Sequence, residues 1–143
     1  RRKSPRRAAV YDLFSELVRI PDLVVHPNLT LEALLIQQED VWRDDGQGSW
    51  RRGHWSVVDR RLLGVVSSHV FARPADFLAL LPADLPKPFT NVELAAAWRC
   101  APAVAGRATY ALRTMGKLDP VGKRGRANLF MTVGSDEEPI TLN

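Results

Sequence analysis

A chain of 143 residues can form one domain or two small ones, and its 45% hydrophobic content is ordinary for a soluble globular protein. No apolar run approaches the roughly 20 residues of a membrane-spanning helix, and the basic start leads into mixed sequence rather than an apolar leader. Membrane contact and secretion are therefore excluded as expectations, and a cytoplasmic location is expected.

The formal net charge of +4 is unevenly distributed. Residues 1–7 carry five positive charges and no negative one, and residues 88–133 carry seven positive against two negative. The stretch between them is net acidic, and residues 134–143 form an acidic tail with Asp136, Glu137 and Glu138. Positive charge gathered in two places suits a polyanion partner, because cations that neutralise phosphates release condensed counterions.

In chain order, Arg1-Arg2-Lys3-Ser4-Pro5-Arg6-Arg7 reads as a basic arm or linker, with Arg6 and Arg7 able to assist phosphate binding. The start at Arg1 rather than Met suits a fragment, a processed product or the ordered part of something longer. Ala8 to Ile20 has helical spacing, with Val10, Leu13, Phe14, Leu17 and Val18 on one stripe and Pro21 as the stop. Leu31–Arg43 and Trp50–Val70 read mainly as strands around the turn Asp44-Asp45-Gly46-Gln47-Gly48, a β-hairpin. Arg51, Arg52, Arg60 and Arg61 can pair with Glu39, Asp40, Asp44, Asp45 and Asp59 across that sheet. Trp42, Trp50 and Trp55 either pack in a core or over a sheet face, or offer a stacking surface to bases. Arg73 to Leu81 reads as a short helix opened by Pro74, and Pro82 to Pro88 is a Pro-rich connector and the best domain boundary.

The most telling stretch follows. Thr90 with Glu93 three residues on is a capping-box pattern, and Val92, Leu94, Ala95 and Trp98 stripe a short helix. After a break at Arg99-Cys100-Ala101, Pro102 can open a second helix, with Val104, Ala108, Ala111, Leu112 and Met115 inward and Gly116 at its end. Lys117 to Val121 and Asn128 to Val133 flank Gly122-Lys123-Arg124-Gly125-Arg126, a basic hairpin. Two helices, a short turn and a basic hairpin, carried most strongly by Leu112 to Leu118 and then Gly122 to Arg126, resemble the winged helix-turn-helix superfamily. The whole chain is also similar to an uncharacterised bacterial family with a basic hairpin near its C-terminus.

The resemblance implies a second helix in the major groove and a wing on phosphates or in the minor groove. On this chain the helix would expose some of Ala103, Arg107, Thr109, Tyr110, Arg113 and Thr114, and the wing would offer Lys123, Arg124 and Arg126. Ala101 to Gly106 carries no Asn, Gln or Arg that would read a base, so phosphate contact is expected rather than base readout.

Signals for catalysis are thin. His26, His54 and His69 lack metalloprotease spacing, one cysteine cannot build the usual zinc set, and neither a phosphate loop nor a serine elbow occurs. Glu39, Asp40, Asp44 and Asp45 could gather as nuclease carboxylates, but such a run is more often a solvated turn, and the lysine of the nuclease pattern is missing. Cys100 reads as a small buried filler. No catalytic residue, metal or cofactor is expected.

The expected architecture is thus α+β. A basic arm (1–7) precedes an N-terminal helix and strand-rich hairpin region (8–82), a C-terminal winged helix-turn-helix (88–133) and the acidic tail. The expected function is binding of duplex DNA through Arg107, Arg113, Lys123, Arg124 and Arg126, helped by Arg6 and Arg7, as a regulator or as the DNA-binding part of a larger enzyme. The alternative is a protein-interaction or dimerisation module of a larger protein, with a homodimer or an upstream domain as partner.

Overall fold

The computed structural model describes residues 2–134 and has an α+β architecture; beyond Gly134 the acidic tail lies outside the described residues. Two compact units divide the chain, one from residues 1–32 with 70–143 and the other from residues 33–69. The boundary expected at 82–88 is not where the units part. The reason is packing: the N-terminal helical segment belongs to the same core as the helices after residue 90.

In the larger unit, the stretch expected as one helix from Ala8 is broken. A 3-10 turn, Val10–Leu13, runs into a single α-helical turn, α1 (Phe14–Leu17). The Asp12 carboxylate accepts the Ala9 N–H at 2.8 Å and holds the entry. Pro21 does end that segment, but it also opens α2 (Pro21–Val24), where its missing N–H would have no partner anyway. Phe14 and Leu17 are buried, and a second 3-10 segment, Pro74–Leu80, places Phe77 against Phe14 and Phe71 with ring centroids 6.2 and 4.3 Å apart.

Helix α3 (Asn91–Trp98) starts at a complete capping box. The Thr90 hydroxyl accepts the Glu93 N–H at 3.3 Å, and the Glu93 carboxylate accepts the Thr90 N–H at 2.7 Å. Its end is a six-residue closing turn: Cys100 N–H donates to Ala95 C=O at 3.0 Å with Arg99 left-handed at φ 54°. Trp98 stacks on Tyr11 at 4.6 Å and donates its indole N–H to Leu80 C=O at 3.1 Å.

Helix α4 (Pro102–Thr114) is the hub, packed on α1, α2 and α3. Its inner face is mostly small, with Ala105, Ala108, Ala111 and Leu112 fully buried, which lets neighbouring backbones approach closely. Gly116, at φ 72°, closes it with the same kind of turn, Lys117 N–H donating to Leu112 C=O at 2.8 Å.

Strands β3 (Leu118–Arg124) and β4 (Ala127–Thr132) then pair antiparallel around the two-residue loop Gly125-Arg126. Gly125 at φ 62° supplies the positive dihedral that such tight hairpins demand. On the other edge of β4, Phe89 and Phe130 exchange backbone hydrogen bonds of 3.0 and 2.8 Å, a one-residue third strand.

The smaller unit is a two-stranded sheet, β1 (Leu31–Asp44) with β2 (Trp55–Phe71). The connection is too short for a crossover, so the strands run antiparallel. Strand pairing begins later than expected from Trp50, because Trp50–Arg52 forms a 3-10 turn and Gly53 and His54 are left-handed. The loop closes with Gly48 N–H on His54 C=O at 2.9 Å. A Cβ on Gly48 would lie 2.0 Å from the Trp55 carbonyl oxygen, so only glycine fits.

Arg60 pairs with Asp40 at 3.7 Å and Arg61 with Asp59 at 3.0 Å. Arg51 and Arg52 instead lie over the rings of Trp50 and Trp42, at 5.6 and 5.4 Å. The three tryptophans form no core: Trp42, Trp50 and Trp55 are all exposed, and no residue of 33–69 is buried.

Candidate nucleic-acid interface

The α4 surface is decided by its inner face. With Ala105, Ala108, Thr109 and Leu112 inward, the residues at three- and four-residue spacing on the other side, Ala103, Arg107, Tyr110 and Thr114, face solvent with Arg113 beside them. Thr109 leaves the set of candidate contacts. It is 2% exposed, and its hydroxyl bonds the Asn91 side-chain oxygen at 2.8 Å and the Gly106 carbonyl at 3.1 Å. Thr114 donates to the Tyr110 carbonyl at 3.0 Å, one turn back.

The cations differ in how they are held. Arg107 donates to the Ser15 hydroxyl at 3.2 Å, which steadies it without neutralising it. The Arg113 guanidinium lies 6.0 Å from the Phe130 ring centre, at the edge of cation–π range, and the residue is exposed. Arg124 makes a 2.7 Å charged hydrogen bond to Glu93. Lys123 and Arg126 are exposed and form no ion pair among the described residues. Arg6 and Arg7 lie in an exposed extended arm, steadied locally by Arg6 N–H on the Ser4 hydroxyl at 3.2 Å and brought to α4 by nothing in the described residues.

Glu93 is the residue that sequence reading assigned to capping alone. Its pKa lies below the ordinary glutamate value, first because the Thr90 N–H donates to the carboxylate and then because Arg124 does. The carboxylate thus joins the start of α3 to the end of β3. The 31 residues separating Glu93 from Arg124, and the 92 separating Arg107 from Ser15, place both pairings beyond any local sequence pattern.

Between the C-terminal half of α4 and β3 lies an open depression of about 310 Å³, lined by Tyr110, Arg113, Thr114, Leu118, Asp119 and Pro120. Tyr110 and Arg113 suit a sugar-phosphate backbone, and Asp119 opposes one.

Among the described residues no group of three His, Cys, Asp or Glu converges to hold a metal ion. Cys100 is half-buried, and burial pushes its thiol pKa up, away from the reactive thiolate. Among the described residues no helix is long and apolar enough to cross a membrane.

What the fold defines is an α+β protein whose helix pair and hairpin follow a separate two-stranded unit. The chain belongs to the family described as "Domain of unknown function (DUF8091)", whose model matches residues 1–72, just over half of it. It is also similar to an uncharacterized protein of Treponema pallidum (strain Nichols), 33% identical over 132 residues, or 90% of this chain and 51% of the relative. The chain thus spans about half the length of the curated relative it matches. No solved structure matches it.

Proposed function

We propose that the segment 88–133 acts as a winged helix that binds duplex DNA through phosphates, with little preference for sequence. The observation that carries the reading is the common exposure of Arg107, Tyr110 and Arg113 on α4 and of Lys123 and Arg126 on the hairpin that follows it. The one-residue strand at Phe89, paired with β4 before α3 begins, supports it, because it ties the hairpin to the start of the helix pair. Arg124 is neutralised by Glu93 and contributes orientation more than charge. The apolar start of α4 argues against base readout, so positioning contacts dominate.

Fluorescence-anisotropy titration of the full chain with unrelated duplexes at two salt concentrations tests this. Similar affinities for all duplexes, falling as salt rises, are expected. Each phosphate contact contributes about 0.9 to the slope of log K against log salt. Replacing both Lys123 and Arg126 by Ala should lower the slope by about 2 and weaken every duplex alike. Unchanged binding in that variant would discard the hairpin as the contact.

A further inference from the structure

The hairpin unit poses a separate problem, independent of DNA. Two strands of 14 and 17 residues stand without a buried side chain between residues 33 and 69, and among the described residues neither pairs with a third strand. Two-stranded sheets without a packed face are marginal in water, and an unpaired apolar edge templates further pairing. The apolar run is Leu62-Leu63-Gly64-Val65-Val66 in the middle of β2, free of charge and proline, and exposed on both faces. Leu62 and Val66, on one face, are 64% and 71% exposed.

We propose that this run is covered by the same run of a second copy of the chain. The two β2 strands pair antiparallel about Gly64, making a continuous four-stranded sheet. The pattern is self-complementary in that register. Leu63 falls opposite Val65 of the second copy on one face, and Leu62 opposite Val66 of the second copy on the other. Gly64 meets its own mate without side chains, and nothing lies within 4 Å of a Cβ built there. Asp59 falls opposite His69 of the second copy, and Arg60 and Arg61 fall opposite Ser68 and Ser67, so no like charges face each other.

Strand β1 fails the same operation. Its run Leu34-Leu35-Ile36 has Glu32 before it and Glu39-Asp40 after it, so antiparallel self-pairing brings acids towards acids. A two-fold contact through β2 is isologous and closes on itself, which ends the pairing at a dimer.

Sedimentation equilibrium of the full chain should give twice the chain mass in the micromolar range. Val66→Lys and Leu62→Glu, both at well-exposed positions, should each raise the dimer dissociation constant at least tenfold. The double variant sets the introduced carboxylate of one copy opposite the introduced ammonium of the other and should restore dimerisation to within a few-fold of the parent. In a Cys100→Ser background, Gly64→Cys should cross-link between copies under mild oxidation. Ser67→Cys should not, since three residues from the axis its mates stand about 20 Å apart at roughly 3.3 Å per residue. A monomeric parent chain overturns the proposal and leaves the hairpin to be covered by other parts of a longer protein. Single variants that still dimerise, a double variant that does not recover, or equal cross-linking at both cysteines overturn it too.

Discussion

Glu93 caps α3 and holds Arg124 with one carboxylate, so two properties respond to one substitution. Its lowered pKa means that its contribution to stability is complete above the ordinary carboxylate range and is lost as pH falls through the lowered value. Glu93→Gln should therefore make the acid-side fall in Tm shallower. It should not abolish that fall, because Asp76, lowered by the N–H groups of Arg73 and Ala72, titrates in the same sense. The same variant frees Arg124 of its carboxylate partner and, on the proposed DNA-binding reading, should tighten binding of duplexes a few-fold while costing part of the cap. Thermal melts between pH 3 and 7, with anisotropy at neutral pH, read both effects. Arg99 offers a second residue-scale test. A left-handed non-glycine residue costs about 1–2 kcal/mol, and glycine adds about 0.5–1 kcal/mol of unfolded-state entropy. Arg99→Gly should thus stabilise by roughly 0.5–1 kcal/mol, visible as a higher midpoint in denaturant.

At the scale of elements, α4 explains how the larger unit is built. Among the described residues it is the longest helix and packs on α1, α2, α3 and β3, and its alanines allow that at close range. Leu112, fully buried at the base of its closing turn, should cost about 2–5 kcal/mol when replaced by Ala, since the cavity cannot collapse against a rigid helix pair. Chemical denaturation with an unchanged slope would check that value. The helix pair and basic hairpin were legible in the sequence because their signals are local: Thr90 with Glu93, Pro102 at a first turn, Gly116 past a last turn and the Gly122–Arg126 run between two apolar stretches, although β3 runs on to Arg124 and narrows the expected loop to Gly125-Arg126. The N-terminal helix was misjudged in length. Its apolar spacing is real, but the segment packs as single turns against α4, and tertiary contact rather than propensity sets where each turn ends.

For the whole molecule, every buried hydrophobic residue among those described lies within 1–32 or 70–134. The larger unit should therefore keep its cooperative thermal transition when residues 33–69 are replaced by a short Gly/Ser linker. Loss of that transition, measured by circular dichroism, would show that the hairpin is part of the same folding unit. The tryptophans illustrate why the sequence misleads here. Trp42, Trp50 and Trp55 are residues that usually find cover, yet a two-stranded sheet has no second layer, and all three stay exposed, two of them with a guanidinium group over the ring. Local chemistry in the chain was enough to determine the α+β class, the helix caps, the two hairpins and the clustering of positive charge, because each depends on residues a few positions apart. Only the tertiary structure decided that Thr109 turns inward, that Arg124 is bound by Glu93, that Arg107 leans on Ser15, and that the compact units part around 33–69 rather than at the prolines. Those outcomes depend on which distant surfaces compete for burial and charge pairing, and sequence spacing carries no record of that competition.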